Sequence, residues 1–317
     1  MQLDYFVVGP QIALRSLPAT GGPTRVDFEV VQPGGVELGR IETELVKGSI
    51  VVRCAFEPAV GPDLQVQAIR LVVRVVCKLA AVPIVVHAGS LPDGAARPLT
   101  QDGLQPGEPN CWRLATGSSI LSAAKSRDMR ELYEDPYRVV WNFEPRPWPM
   151  LAPFLSDAAP LPDRRVLDVG CGFAKNTVLL EGLGFEAYGI DVAEGAVSLG
   201  QRWMRHPDRL QAASITELPF GDADFGWVLD VGCLHCLPSD LLDPAIAELA
   251  RVLRPGGRIY SRVFKPRDPH WLAAQNYEAK AMGHSDTRLV EMFTPWFEVA
   301  TQDMGEATLV RGIRRRD

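Results

Sequence analysis

Val166-Leu167-Asp168-Val169-Gly170-Cys171-Gly172 concentrates more residues able to do chemistry than any other stretch of the sequence. An apolar run carrying one carboxylate turns through two glycines into helix-type sequence starting near Ala174. Glycines at such a turn let a ligand approach the backbone at the carboxyl end of a strand, where open α/β sheets bind their ligands. The ligand implied is a nucleotide-type cofactor. A second acid, Asp191, closes Gly189-Ile190-Asp191 nineteen residues after Gly172, the distance at which an acid receives the two hydroxyls of a ribose. A third point is the stretch over residues 213–220, ASITELPF, at the end of a third strand, where an adenine ring is expected.

Charge separates the candidate cofactors. A dinucleotide site sets a pyrophosphate on a helix N-terminus and uses a third glycine, but that position here is Lys175, and Asp168 precedes the first glycine. Asp168 would repel a phosphate. S-adenosylmethionine has no phosphate; its ammonium and sulfonium groups suit a carboxylate beside the turn.

At these residues the chain resembles the class I S-adenosylmethionine-dependent methyltransferases, in the branch marked by VLDxGCG, GxD, LPF, LHHL and LRPGG. Here the five stand as VLDVGCG at 166–172, GID at 189–191, LPF at 218–220, LHCL at 234–237 and LRPGG at 253–257. The resemblance implies that Asp168, Gly170, Cys171 and Gly172 hold the methionine part. It gives the ribose to Asp191, with Val192 beside it, the adenine edge to Ser214 and Ile215, and adds Asp230 to the cofactor set. Ser214 stands where the family usually has Asp; a hydroxyl accepts the same hydrogen bond more weakly. Residues 170–191 also look like the sub-branch that methylates thiols and chalcogen oxyanions, although Phe173-Ala174-Lys175-Asn176 keeps only an Asn and a basic residue of its Gly-Arg-Asn turn.

Methyl transfer from a sulfonium is an in-line displacement that needs alignment and exclusion of water more than acid/base machinery. An oxygen or nitrogen nucleophile still loses a proton, and His235, after the fourth strand, is the candidate general base; the alternative is that it merely orders its loop. Cys233 reads either as a substrate contact or as a small apolar filler. Tyr137, Trp141, Arg146 and Trp148, with Arg138 and Phe143, lie just ahead of the first motif. They read as a lid that stacks on the substrate, the arginines taking an acidic group, or as packing between domains. Cys233 and Cys236 form a lone C-x-x-C without a second pair, so no metal is expected. His87, His206, His270 and His284 read as surface or structural.

The elements that must position these residues follow from residue 164 onward, where apolar strands alternate with helical segments. Strands are expected at 166–169, 186–190, 210–213, 227–230, 258–263, 297–302 and 309–314. They imply a doubly wound α/β fold, a seven-stranded mostly parallel sheet over 164–317. Ahead of it, two-residue periods at 26–30, 50–56 and 69–79, separated by Gly/Pro turns such as Gly61-Pro62-Asp63, imply a mainly antiparallel β domain over 1–117. Residues 118–163, a helix through 126–133 followed by a Pro- and aromatic-rich stretch, read as linker or lid.

The 317 residues suffice for two domains, and a formal net charge of -6 gives no general attraction to nucleic acid or anionic lipid. The turn after the fourth strand, Asp230-Val231-Gly232-Cys233, also lacks the Asp/Asn-Pro-Pro-aromatic pattern of nucleic-acid adenine methylation. No apolar run reaches spanning length, and the start carries no secretory signal, so a cytoplasmic protein is expected. Six scattered cysteines suit a reducing compartment. The expected partner is a small-molecule substrate methylated on oxygen, nitrogen or sulfur, with a homodimer open. The rival readings are a methyltransferase acting on a peptide or carrier-bound substrate recognised by the β domain, a non-catalytic cofactor-binding protein, and, against the charge argument, a nicotinamide dehydrogenase.

Overall fold

The computed structural model describes residues 6–17, 26–79, 82–88, 93–107, 111–114, 133, 135–136, 142, 151–158, 161–266 and 283–316. The chain divides into two compact units, residues 1–124 with 135–147, and residues 125–134 with 148–317.

The first unit is one sheet with a long helix. Its strands are β1 (Phe6–Val8), β2 (Ala13–Ser16), β3 (Phe28–Val31), β4 (Glu37–Val46), β5 (Ser49–Phe56), β6 (Ile84–Ala88), β7 (Gln105–Pro106) and β8 (Cys111–Leu114). They lie in the order β1-β2-β3-β4-β5-β6-β8-β7. Neighbours are antiparallel throughout except β5 and β6, which run parallel on either side of helix α1 (Pro62–Leu79). In β4, Leu38, Ile41 and Thr43 are buried while Arg40, Glu42 and Glu44 are exposed, the alternation of a sheet with one solvated face. Asn142, though distant in sequence, belongs to this unit: its amide donates to the Val8 carbonyl at 2.7 Å and accepts from the Val8 N–H at 3.3 Å.

The strand expected at 69–79 is instead the second half of α1. Residues 68–76 are buried apart from the half-buried Arg70, so an alternation was visible simply because almost every position is apolar. Arg70 and Arg74 are the discriminating pair. One helical turn apart, both reach Asp102, at 2.7 Å from Arg70 Nε and at 2.7 and 2.8 Å from the two Arg74 Nη atoms. Burial pushes the Asp102 carboxyl up, but the two guanidinium groups outweigh it and hold it below its ordinary value. Gly61-Pro62-Asp63, read as a turn, is the start of this helix, with proline at its first position and an acid in its first turn. Helix α2 (Asp93–Gln101) follows β6.

The second unit contains strands β9 (Arg165–Val169), β10 (Glu186–Asp191), β11 (Leu210–Ala212), β12 (Phe225–Val231), β13 (Leu253–Phe264), β14 (Phe297–Asp303) and β15 (Ala307–Arg314). All seven expected strands are present, in the order β11-β10-β9-β12-β13-β15-β14. The first five are parallel; β15 runs antiparallel to both β13 and β14. The unit is thus the mostly parallel, doubly wound sheet anticipated. Its strand order reverses between β9 and β12, which opens a crevice at their carboxyl ends.

Helices cover both faces, so the central strands are continuous apolar runs; Phe225 through Asp230 are all buried. On one face α3 (Leu151–Ala158) sets Phe154 edge-on against Trp227 at 5.4 Å and Tyr260 at 5.5 Å. On the other, α6 (Ser239–Val252) and α7 (Asp286–Phe293) pack Leu242, Ile246, Leu249 and Phe293 against Leu167, Val228 and Ile259. Helices α4 (Lys175–Gly182) and α5 (Glu194–Gln201) follow β9 and β10. Among the described residues no helix is long and apolar enough to cross a membrane.

Candidate cofactor and methyl-transfer site

The loop from β9 into α4 is tied to the end of β10 by three hydrogen bonds. Cys171 N–H donates to the Ile190 carbonyl at 2.9 Å, Gly172 N–H to Asp191 Oδ2 at 2.9 Å, and Ala193 N–H to Asp191 Oδ1 at 2.9 Å. The Asp191 carboxylate therefore joins two loops, and each oxygen keeps a lone pair for a ligand. The turn passes through the left-handed region at Gly170 (φ 65°), Gly172 (φ 52°) and Ala174 (φ 59°). Two of these positions are glycine for a second reason. A Cβ on Gly170 would lie 2.5 Å from Cys233 Cβ, and one on Gly172 would lie 2.6 Å from Tyr133 Cε1. The sequence suggests that the glycines make room for a cofactor; the structure adds that Cys233 and Tyr133 pack directly against them.

Three carboxylates occupy the carboxyl ends of adjoining strands. Asp168, on β9 and 1% exposed, accepts a hydrogen bond from Thr177 Oγ1 at 2.7 Å. Burial pushes its pKa up to about 7; the Thr177 hydroxyl pulls it down, and the charges of Asp230 and Asp191 push it further up. Burial likewise raises Asp191, against the backbone N–H groups that stabilise its anion. Asp230, at the end of β12, is raised by burial to about 6. It accepts from Ser261 Oγ across β13 and from the N–H of Cys233 at 2.7 Å and of Leu234 at 3.4 Å.

Asp230 is expected among the cofactor contacts. It is fully buried, and both oxygens serve the protein, one bracing β13 and the other capping the 233–234 turn. Cys171 is buried, with its sulfur against Gly189, and its thiol is raised well above its ordinary value by burial. Ala213 N–H donates to the Asp191 carbonyl at 2.9 Å, which sets residues 213–216 beside Asp191. Ser214 there is exposed, and its Oγ lies 2.8 Å from Thr216 Oγ1, while Ile215 turns into the core. Val192, next to Asp191, is 42% exposed.

Cys233 is half-buried, and burial raises its thiol well above its ordinary value. His235 is 5% exposed, its ring set edge-on to Phe264 at 4.5 Å and against Gly232. Asp168, Gly170, Cys171, Gly172, Asp191 and Cys233 are thus gathered around one turn. Tyr137, Trp141, Arg146 and Trp148 lie outside the described residues, as does the helix expected over 126–133 except for Tyr133, which sits in a turn. Sequence reading missed Thr177, Ser261 and Tyr133. Thr177 was discoverable as a hydroxyl nine residues after Asp168, in the first turn of the following helix; Ser261 and Tyr133 carried no signal, since only the fold brings them to the site.

The strand order, with one antiparallel strand inserted next to the last, and the acid-lined turn at the switch point define the class I S-adenosylmethionine-dependent methyltransferase domain. The second unit has that fold. A family described as a methyltransferase domain matches residues 167–261, from inside β9 to inside β13. The chain is 31% identical over 152 residues to the demethylmenaquinone methyltransferase of Clavibacter sepedonicus, covering 46% of this chain and 60% of that protein. It is 34% identical over 119 residues to a tRNA U34 carboxymethyltransferase of Trichlorobacter lovleyi, covering 35% of each. Among solved structures it resembles the 1,6-didemethyltoxoflavin-N1-methyltransferase of Burkholderia thailandensis with bound 1,6-didemethyltoxoflavin and S-adenosylhomocysteine, at 26% identity and a TM-score of 0.42, covering 53% of this chain and 77% of that one. The chain thus spans from about a third to about three-fifths of the two curated relatives' lengths. S-adenosylmethionine is the cofactor of this domain class.

Proposed function

We propose that this protein transfers the methyl group of S-adenosylmethionine to an oxygen, nitrogen or sulfur atom of a small molecule, in the cytoplasm. The observation that carries the reading is the set of three buried carboxylates on adjoining strand ends. The charges acting on Asp168 there are those of Asp230 and Asp191, which oppose its ionisation. A cationic ligand relieves that repulsion and a phosphate compounds it. The donor set therefore fits S-adenosylmethionine, which supplies, when bound, a methyl group on a positively charged sulfur.

The chain's own residues do the positioning. Asp191 offers its remaining lone pairs to the ribose hydroxyls while its other pairs hold the Gly172 and Ala193 amides. Asp168, oriented by Thr177, faces the cofactor's cationic end. Val192 gives the adenine an apolar contact and the Ser214 hydroxyl a hydrogen-bond acceptor. Asp230 sets the 232–234 turn, and so the wall that Cys233 makes against Gly170. The nucleophile must approach opposite the sulfur, and neither proton removal by His235 nor stacking by Tyr137, Trp141, Arg146 and Trp148 is required by this arrangement.

Support for a small substrate comes from the substrate named for the Clavibacter relative and from a net charge of -6, which offers little to a phosphate backbone. The tRNA named for the Trichlorobacter relative is the outcome to test against. Calorimetry with S-adenosylmethionine, followed by incubation of the protein with methyl-labelled cofactor and fractionated cell extract, should show binding and label in the low-mass fraction. Label in RNA or protein would overturn the small-molecule reading. Binding with no label in any fraction would make the protein a non-catalytic binder, and no binding would overturn the site.

A further inference from the structure

Helix α3 packs on one face of the C-terminal sheet as far as Tyr260 on β13, where Phe154 meets that ring edge-on. The same face continues beyond it. Arg311 on β15 and Ala300 on β14 stand in register with Tyr260, and Arg258, Ile313 and Glu298 form the next row of the same three strands. Ala300, Ile313 and Glu298 are exposed. With Asp157 of α3, these residues line a cavity of about 350 Å³, a volume that suits a small ligand. Neither the glycine turn nor Asp168, Asp191 or Asp230 lines it.

The cavity holds two arginines and two acids, and hydrogen bonding divides them unevenly. Asp157 is committed to the Tyr260 hydroxyl, which donates to it. Burial and this partner raise the Tyr260 phenol above its ordinary value, while the charges of Arg311 and Arg258 pull it back, so both guanidinium groups gather near one ring. The Arg311 guanidinium carbon lies 5.9 Å from the centre of the Tyr260 ring, and that of Arg258 lies 5.6 Å from the centre of Trp227. Among the described residues neither guanidinium has an acid within ion-pair distance; Arg311 donates to the Gln302 side-chain oxygen at 2.9 Å. Arg165, Arg251 and Arg254 of the same unit each hold an acid. A planar guanidinium grips a carboxylate with two parallel hydrogen bonds, and Tyr260 and Ile313 offer apolar surface to the body that carries it. The nearby carboxylates of Asp157 and Glu298 favour one negative charge over the two of a phosphate. We propose that this cavity is a second ligand site, which takes a small apolar monocarboxylate between Arg258 and Arg311. The site stands apart from the cofactor reading above and does not depend on it.

Calorimetry on the full chain with sodium benzoate, inorganic phosphate and benzyl alcohol separates carboxylate, charge and ring. Benzoate should bind saturably, inorganic phosphate roughly ten-fold more weakly, and benzyl alcohol not measurably. Arg258→Gln and Arg311→Gln should each weaken benzoate about ten-fold, the loss expected when a charge-assisted hydrogen bond is removed. Ala300→Phe fills the cavity from an exposed position without removing a charge and should abolish binding, so the test does not hang on how the arginine variants fold. Saturating S-adenosylmethionine should leave benzoate affinity within about two-fold, since the two sites share no residue. Absence of saturable benzoate binding by the wild type would overturn the proposal. So would phosphate binding as tightly as benzoate, benzoate affinity unchanged in the variants, or competition between benzoate and S-adenosylmethionine.

Discussion

The two edges of the C-terminal sheet handle their carboxylates in opposite ways. Around the amino-terminal ends of the strands, acids meet arginines. Arg165 pairs with Glu186 at 3.0 Å and Asp224 at 3.2 Å, Arg254 with Asp163, and Arg251 with Glu248 at 2.7 Å and Asp222 at 2.9 Å. The Arg165 guanidinium also stacks over Tyr188 at 4.5 Å and Phe225 at 5.2 Å. At the carboxyl ends of the same strands, Asp168, Asp191 and Asp230 are met by hydroxyls and backbone N–H groups, which orient a carboxylate without cancelling its charge. The first edge is neutralised within the fold and serves stability. At the second, the three aspartates are held by hydrogen bonds, and Asp191 keeps lone pairs for something that arrives from solution.

That contrast can be broken most decisively at Asp191. Its replacement by Ala should lower S-adenosylmethionine affinity by roughly ten- to a hundred-fold, about 1.5–3 kcal/mol for charge-assisted hydrogen bonds, as read by calorimetry. Unchanged affinity would move the ribose elsewhere.

Asp168→Asn comes next and should act in opposite directions on ligand and fold. Burial holds the folded-state pKa of Asp168 near 7, above the unfolded value of about 3.9, so its ionised form opposes folding at alkaline pH. That opposition is withdrawn as the pH falls from 7 towards 4. The ligand-free variant should therefore melt above wild type at pH 8, with the gap closing by about pH 5, and should bind S-adenosylmethionine more weakly. In wild type the affinity should fall as the pH drops below about 7, and in the variant that pH dependence should flatten. A variant melting below wild type at pH 8 would show that the buried charge is compensated.

The smallest effect belongs to the other edge. Arg165→Met should cost about 1 kcal/mol of stability, since the guanidinium is part-exposed and its ion pairs are partly screened, and should leave cofactor affinity within error. A loss of affinity there would mean that the two edges are coupled through β9.

Much of this architecture was legible in the sequence, because strands buried on both faces must be continuous apolar runs and each is short. Asp168 stood out as a lone carboxylate inside such a run, and Asp191 as an acid ending the next one. The N-terminal unit was harder for the same reason inverted. Helix α1 is rich in Val and buried over most of its second half, so it satisfies a strand period and a helix period at once. Only Arg70 and Arg74, one turn apart and sharing Asp102, separate the two, and their partner lies twenty-eight residues beyond Arg74. The internal bracing by Asp230 was hidden for a different reason. Its place at a strand end suggested a ligand contact, but its side chain points across the sheet to Ser261, and no local pattern encodes that direction. Tyr133 was invisible because ring and turn meet only after the chain has folded back.

One carboxylate is asked to serve both chain and ligand. Because Asp191 secures the amides of Gly172 and Ala193, anything that shares its oxygens also bears on how often those two N–H groups open to solvent. Slowed deuterium exchange at these two amides would register an occupied site from inside the backbone, with no turnover and no identified acceptor, so the protein carries its own occupancy gauge.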